Sequence, residues 1–344
     1  MIRKTVLALA AVMLAATSAS AQQVVTLKMA NWVPPTHHLF ESYNKLADQV
    51  SKLTNGTLKI EVDSTAVANP GGMYDIIKNR VRDMAWDVTS YNPGLWESAR
   101  VIEMPFLVPD AGLASRAVWK WYQKHDFVKK EWGDKGVVLL NLYAGGGGHL
   151  FTAKNQVIKP EDAVGLKIRA AGPNEAVAKI IGAVPVSVPA SKVQEVLQRG
   201  TAEGAFFSWD GILAYKLGQY TKYALEIPGG LAAATFWVAI NKEKFDSLSQ
   251  AHKDALTKVW GADGSYLIGK KWGDVDLEGR KSAQDAGTVI TVPTGAALKV
   301  WQDKLAPLPA EWIKNANARG LNGQALFDDF VKMLADEQKT GHTM

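Results

Sequence analysis

Thr26-Leu27-Lys28-Met29-Ala30-Asn31-Trp32, the run from Leu39 to Leu53, and Leu58-Lys59-Ile60-Glu61-Val62 together decide the fold of this chain. The first and last segments are short and suit strands. Between them Leu39, Tyr43, Leu46, Ala47, Val50 and Leu53 recur at spacings of three and four, lining one face of a helix that Asn55-Gly56 stops. The unit is strand, helix, strand. It returns further along, where Ser191 is placed to cap a helix from Lys192 to Gln198, Arg199-Gly200 closes it, and Ala205 to Ser208 reads as a strand. Further strands are expected at Trp86 to Ser90, Val137 to Tyr143, Leu150 to Ala153, Leu166 to Ala170 and Phe236 to Asn241, with helices in the intervals. This alternation predicts an α/β fold.

The strand ending at Tyr143 runs into Gly145-Gly146-Gly147-Gly148, after which a new strand begins. Four glycines do not continue a regular element, so the run is expected to carry the chain from one domain to another. It is not a phosphate loop, because no Gly-Lys-Ser/Thr follows and a strand comes next. After Asn241 the chain reads as mostly helical, with a long helix expected within Ser247 to Ala286 that could brace both domains. A chain of 344 residues exceeds what one hydrophobic core usually supports.

Arg3 and Lys4, the apolar run from Val6 to Ala16 and the small residues Ser18-Ala19-Ser20-Ala21 form a secretory signal peptide, with cleavage expected after Ala21. The run falls short of the roughly 20 residues that cross a bilayer, and no later apolar stretch reaches that length. The sequence has no cysteine, which excludes disulfides, thiolate metal sites and a cysteine nucleophile. Its formal charge is +5, with cations and acids interleaved rather than gathered in a stripe, so nucleic acid is not an expected partner. The twelve tryptophans are enough to serve both core and an organic-solute pocket.

In Gly165-Leu166-Lys167-Ile168-Arg169-Ala170 the alternation puts Leu166 and Ile168 on one face of a strand and Lys167 and Arg169 on the other. Arg169 ends the strand beside Ala171-Gly172-Pro173, where a side chain can face a crevice. Its planar guanidinium matches a carboxylate with two parallel hydrogen bonds.

From Thr26 to about Ala335 the chain resembles the extracytoplasmic solute receptors of tripartite ATP-independent periplasmic (TRAP) transporters, the DctP-like family. The likeness is carried by the opening strand and helix, by Lys154-Asn155 ahead of the run that ends in Arg169, and by Ser187 to Gly204 with its ending Leu197-Gln198-Arg199-Gly200-Thr201-Ala202-Glu203-Gly204. The resemblance implies a two-lobed periplasmic-binding-protein-like α/β fold with two chain crossovers and a long lobe-spanning helix. Lobe I would comprise 22–147 with about 236–275, and lobe II 148–235 with about 276–344. It implies a receptor for a small organic carboxylate, held by Arg169 and passed to small and large membrane subunits, without catalysis or cofactor. Many relatives carry a second arginine where this chain has His149, and an asparagine where it has Trp209. Both exchanges would lower the positive charge of the pocket and raise its apolar area, which favours a monocarboxylate with an apolar or aromatic body.

On the other lobe, His37 and His38 follow Pro34-Pro35-Thr36 at a helix start, where the helix's positive end also favours an anion. The alternative is that Thr36 caps that helix and one imidazole simply lies on the surface. Trp32 ends the first strand at the same rim, and Tyr91 and Asn92 follow the strand at Trp86 to Ser90. Phe207 and Phe236 could stack on an apolar solute, Phe236 rather than Trp237 facing the cleft. A hydrolase lacks support: there is no Gly-x-Ser-x-Gly elbow. The adjacent His37 and His38 do not have the spacing of a helical metal pair, so no metal is expected. A sensor of the same fold, reading lobe closure through a membrane partner, would show the same sequence features.

Overall fold

The computed structural model describes residues 24–92 and 94–340. The expected signal peptide lies outside them. The strands are β1 (Val25–Ala30), β2 (Leu58–Val62), β3 (Met84–Val88), β4 (Val137–Ala144), β5 (His149–Thr152), β6 (Lys167–Arg169), β7 (Val184–Val186), β8 (Gly204–Phe207), β9 (Tyr223–Leu225), β10 (Thr235–Asn241) and β11 (Val289–Thr291). They form two sheets. One has the order β2-β1-β3-β10-β4, parallel through β3 and antiparallel at β10; the other has the order β11-β9-β5-β8-β6-β7.

Six helices position the site: α1 (His38–Leu53), α2 (Ala111–Lys124), α3 (Pro173–Ile180), α4 (Trp209–Ala214), α5 (Ala262–Asp285) and α6 (Gly323–Thr340). In α1 the residues Leu39, Tyr43, Leu46, Ala47 and Val50 are buried against the first sheet, the face expected from their spacing. Each sheet has its own core, and the second has an apolar cluster on either face. Most tryptophans are structural: Trp96 stacks on Trp132 at 4.1 Å, with Trp237 edge-on to both.

The chain passes between the sheets through Gly145–Gly148, between β4 and β5, and again between β9 and β10. The two crossovers run side by side. Gly148 donates its N–H to Ala232 at 2.7 Å, Leu231 donates to Gly148 at 2.8 Å, and Gly145 donates to Ala234 at 2.9 Å. Gly230, at φ +84°, lies so close to Gly147 that a Cβ there would meet the Gly147 Cα at 2.7 Å. Backbone thus packs on backbone, and a side chain would force the crossovers apart.

α5 is the brace. At Gly269 it packs directly on the α2 backbone of the first lobe, and at Gly279 on the Trp209 backbone of the second. It is shorter than the stretch that suggested it, because Gly261 separates it from the preceding helix Gln250–Trp260. The expectation that 276–344 belong to the second lobe fails at the C-terminus. Trp312, Ala316, Leu326, Phe330 and Leu334 join the first core, and Trp121 of α2 donates to the Leu326 carbonyl at 3.1 Å. The helix α6 therefore returns to lobe I, drawn by its apolar face.

Candidate functional site

A cavity lies between the lobes, with about 700 Å³ of free space when the part open to solvent is included. The second lobe contributes Arg169, from the end of β6. Arg169 as a residue is 4% exposed, and its guanidinium donates to two backbone carbonyls: Nε to Val188 at 3.0 Å and a terminal nitrogen to Phe206 at 3.2 Å. The guanidinium carbon sits 5.0 Å from the centroid of the Phe207 ring. No carboxylate of the described residues forms an ion pair with this cation, and its remaining N–H groups stay available at the cavity wall. Pro173 and Asn174 bring the start of α3 to the same wall. The first lobe contributes Trp32, His37, Ser90, Tyr91 and Phe236, and α5 adds Trp272. The side-chain oxygens of Ser90 and Asn174 and the indole nitrogen of Trp272 are buried without a partner among the described residues, so polar atoms punctuate an otherwise aromatic wall.

His37, not Thr36, caps α1: its Nδ1 accepts the Leu39 N–H at 3.2 Å. Burial, reinforced by the neighbouring His38, pushes its pKa down to about 4, so the ring is neutral near pH 7. With Nδ1 accepting, the proton resides on Nε2, which makes that nitrogen a donor. His38 Nε2 lies 3.2 Å from a carboxylate oxygen of Asp210, across the lobe boundary. Burial alone would raise the Asp210 carboxyl; the hydrogen bond and charge of His38 outweigh it and hold it below the ordinary range. Ser208 donates to the other oxygen. Asp276 on α5 accepts the Asp210 N–H at 2.7 Å, and burial followed by the Asp210 charge raises it well above the usual carboxylate range.

His37, His38 and Asp210 place ring nitrogens and a carboxylate oxygen within 4.8 Å of one another, a spacing that invites a metal. The cap argues against one. A neutral imidazole has a single lone pair, and that of His37 already accepts the Leu39 N–H. Binding a metal through Nε2 would demand an imidazolate or the loss of the cap.

Of the residues expected at the site, Arg169, Trp32, His37, Tyr91, Phe207 and Phe236 line this cavity. Trp237 turns the other way, into the first core. Tyr91 also ties the lobes together, its hydroxyl accepting the Ala190 N–H at 3.2 Å. His38 stands behind His37 as the partner of Asp210. Asn92 is half-buried outside the cavity wall. His149 and Trp209 differ from expectation: they line a neighbouring cavity beside the glycine crossover, with Glu226 and Arg280. Trp209 donates to Glu226 at 3.1 Å and packs on Phe151. Burial, then the Arg280 charge, lowers the His149 pKa to about 3. The apolar character of the Arg169 cavity therefore comes from other rings, including Trp272 and Tyr215.

Asp210, Ser90, Asn174, Tyr215 and Trp272 were not expected. Asp210 and Ser90 adjoin residues already singled out, and Asn174 follows the Gly172-Pro173 break, so position could have flagged them. Nothing local marks Trp272 in its long helix.

Two α/β lobes joined by paired crossovers, with a buried cation in the cleft between them, define a solute receptor. The chain belongs to the bacterial extracellular solute-binding proteins of family 7, whose profile it matches over residues 29–315, and within them to the TRAP receptors. It is similar to a TRAP periplasmic solute-binding protein from Bordetella bronchiseptica solved with bound (R)- and (S)-mandelate. The two are 30% identical, with a TM-score of 0.86, over 91% of this chain and 99% of that one. A TRAP solute-binding protein from Rhodoferax ferrireducens, in complex with copurified benzoate, is 26% identical with a TM-score of 0.84, over 93% of this chain and 100% of that one. The Comamonas testosteroni protein named outer membrane transporter protein TsaT is 26% identical over 293 residues, 84% of this chain and 85% of its own length.

Proposed function

We propose that this receptor binds a monocarboxylate with an aromatic body in the periplasm and passes it, unaltered, to the small and large membrane subunits of a TRAP permease. The observation that carries the proposal is Arg169, a buried guanidinium held by two carbonyls and a phenyl ring with no carboxylate of the described residues as partner. Burying such a charge is costly unless an anion meets it. A solute carboxylate supplies that anion, and the rings of Trp32, Phe207, Tyr215, Phe236 and Trp272 offer flat apolar surface to the rest. One cation and a mostly apolar wall suit one carboxylate rather than two. The ligands of the Bordetella and Rhodoferax relatives, mandelate and benzoate, have this form. The amino-terminal charges, apolar run and small residues up to Ala21 support export.

A thermal-shift screen of carboxylic acids on the mature chain tests this. Aromatic monocarboxylates should raise the melting temperature as RT ln(1 + [L]/Kd) requires, and the rise should vanish in Arg169→Ala. Stabilisation by dicarboxylates alone would refute the ligand class.

A further inference from the structure

We propose that the solute carries a hydroxyl in addition to its carboxylate, and that His37 and Asp210 read that hydroxyl. This rests on the proposed function of the same cavity and narrows its substrate class. His37 and Asp210 both line the cavity, one from each lobe. They are chemically opposite. The His37 Nε2–H is a donor with no partner among the described residues, its other nitrogen being committed to Leu39. Asp210, ionised and anchored by His38 and Ser208, is acceptor-only and retains lone pairs.

The two groups do not bond each other, yet a His37 ring nitrogen lies within 4.8 Å of an Asp210 oxygen. A tetrahedral oxygen making two hydrogen bonds of about 2.8 Å holds its outer partners about 4.6 Å apart. A hydroxyl can accept from the imidazole and donate to the carboxylate at once. An ether or carbonyl only accepts, a methyl does neither, and a second carboxylate would meet the Asp210 charge. Because the contact spans the lobes, the hydroxyl would be read only when they close. A site with committed polar partners also penalises an analogue that leaves them unpaired.

The test is calorimetric titration of the mature chain with matched acids: benzoate, 3-hydroxybenzoate and 3-methoxybenzoate, then phenylacetate, mandelate and O-methylmandelate. These cover a ring hydroxyl and an α-hydroxyl. At least one hydroxy acid should bind about tenfold or more tightly than its parent, and its methyl ether should lose that advantage. In Asp210→Asn and His37→Gln the ratio of hydroxy acid to parent should fall towards one. If either variant fails to fold, the wild-type series still decides. Parent acids that bind as well as every hydroxylated partner overturn the hydroxyl proposal and leave the carboxylate site standing. A preference that survives in both variants overturns the assignment to these residues. If no acid binds at all, the proposed function fails as well.

Discussion

Arg169 carries the chemistry at the scale of single residues. Removing one partner of a buried, hydrogen-bonded charge pair costs on the order of 2–5 kcal/mol, so Arg169→Ala should weaken solute binding by about 30-fold to several-thousandfold. Arg169→Lys should recover part of the loss, since an ammonium keeps the charge but not the fork; calorimetry on the three proteins checks the order. His149 makes a second, independent prediction. Its folded pKa is about 3 against an ordinary 6.5, so the unfolded chain takes up the proton first as pH falls. The stability tied to its neutral form is complete above about 6.5 and is lost progressively down to about 3. His149→Gln removes this dependence, and the melting temperature of wild type should fall relative to the variant across that window; parallel curves would contradict it. Arg169 was legible in the sequence only in part: strand alternation and the following Ala171-Gly172-Pro173 allow a place at a crevice but fit a surface ion pair as well, and the family resemblance singled it out. His149 and Trp209 were misplaced because a position in the chain does not say on which side of a crossover a side chain emerges.

At the scale of elements, the paired crossovers and the brace govern motion. Gly230 has both a left-handed φ and the Gly147 backbone against it, whereas Gly165, at φ +77°, has nothing within 4 Å of where a Cβ would sit. Gly230→Ala should therefore cost on the order of 2–3 kcal/mol and Gly165→Ala about 1 kcal/mol, read as melting-temperature shifts. Equal shifts would show that the close backbone packing does not matter. The first strand-helix-strand unit and the glycine crossover were readable because periodicity and composition state them plainly. β7, β9 and β11, of three residues each, were not, since so short a run shows no alternation and is fixed only by the sheet it joins. The return of α6 to lobe I was equally hidden, because an apolar helix face does not name the core it will cover.

At the scale of the molecule, the lobes are closed on each other. Tyr91 meets Ala190 and His38 meets Asp210, each pair crossing from one lobe to the other. A solute that bridges the same cleft favours this form by as much as it binds it better than the open one. The central claim is that a carboxylate, through its charge, drives that closure. X-ray scattering of the mature chain titrated with an aromatic monocarboxylate and with its primary amide, of the same size and shape but neutral, tests it most directly. The acid should contract the radius of gyration to a plateau at one equivalent while the amide leaves it unchanged; equal contraction by both, or by neither, would contradict the account.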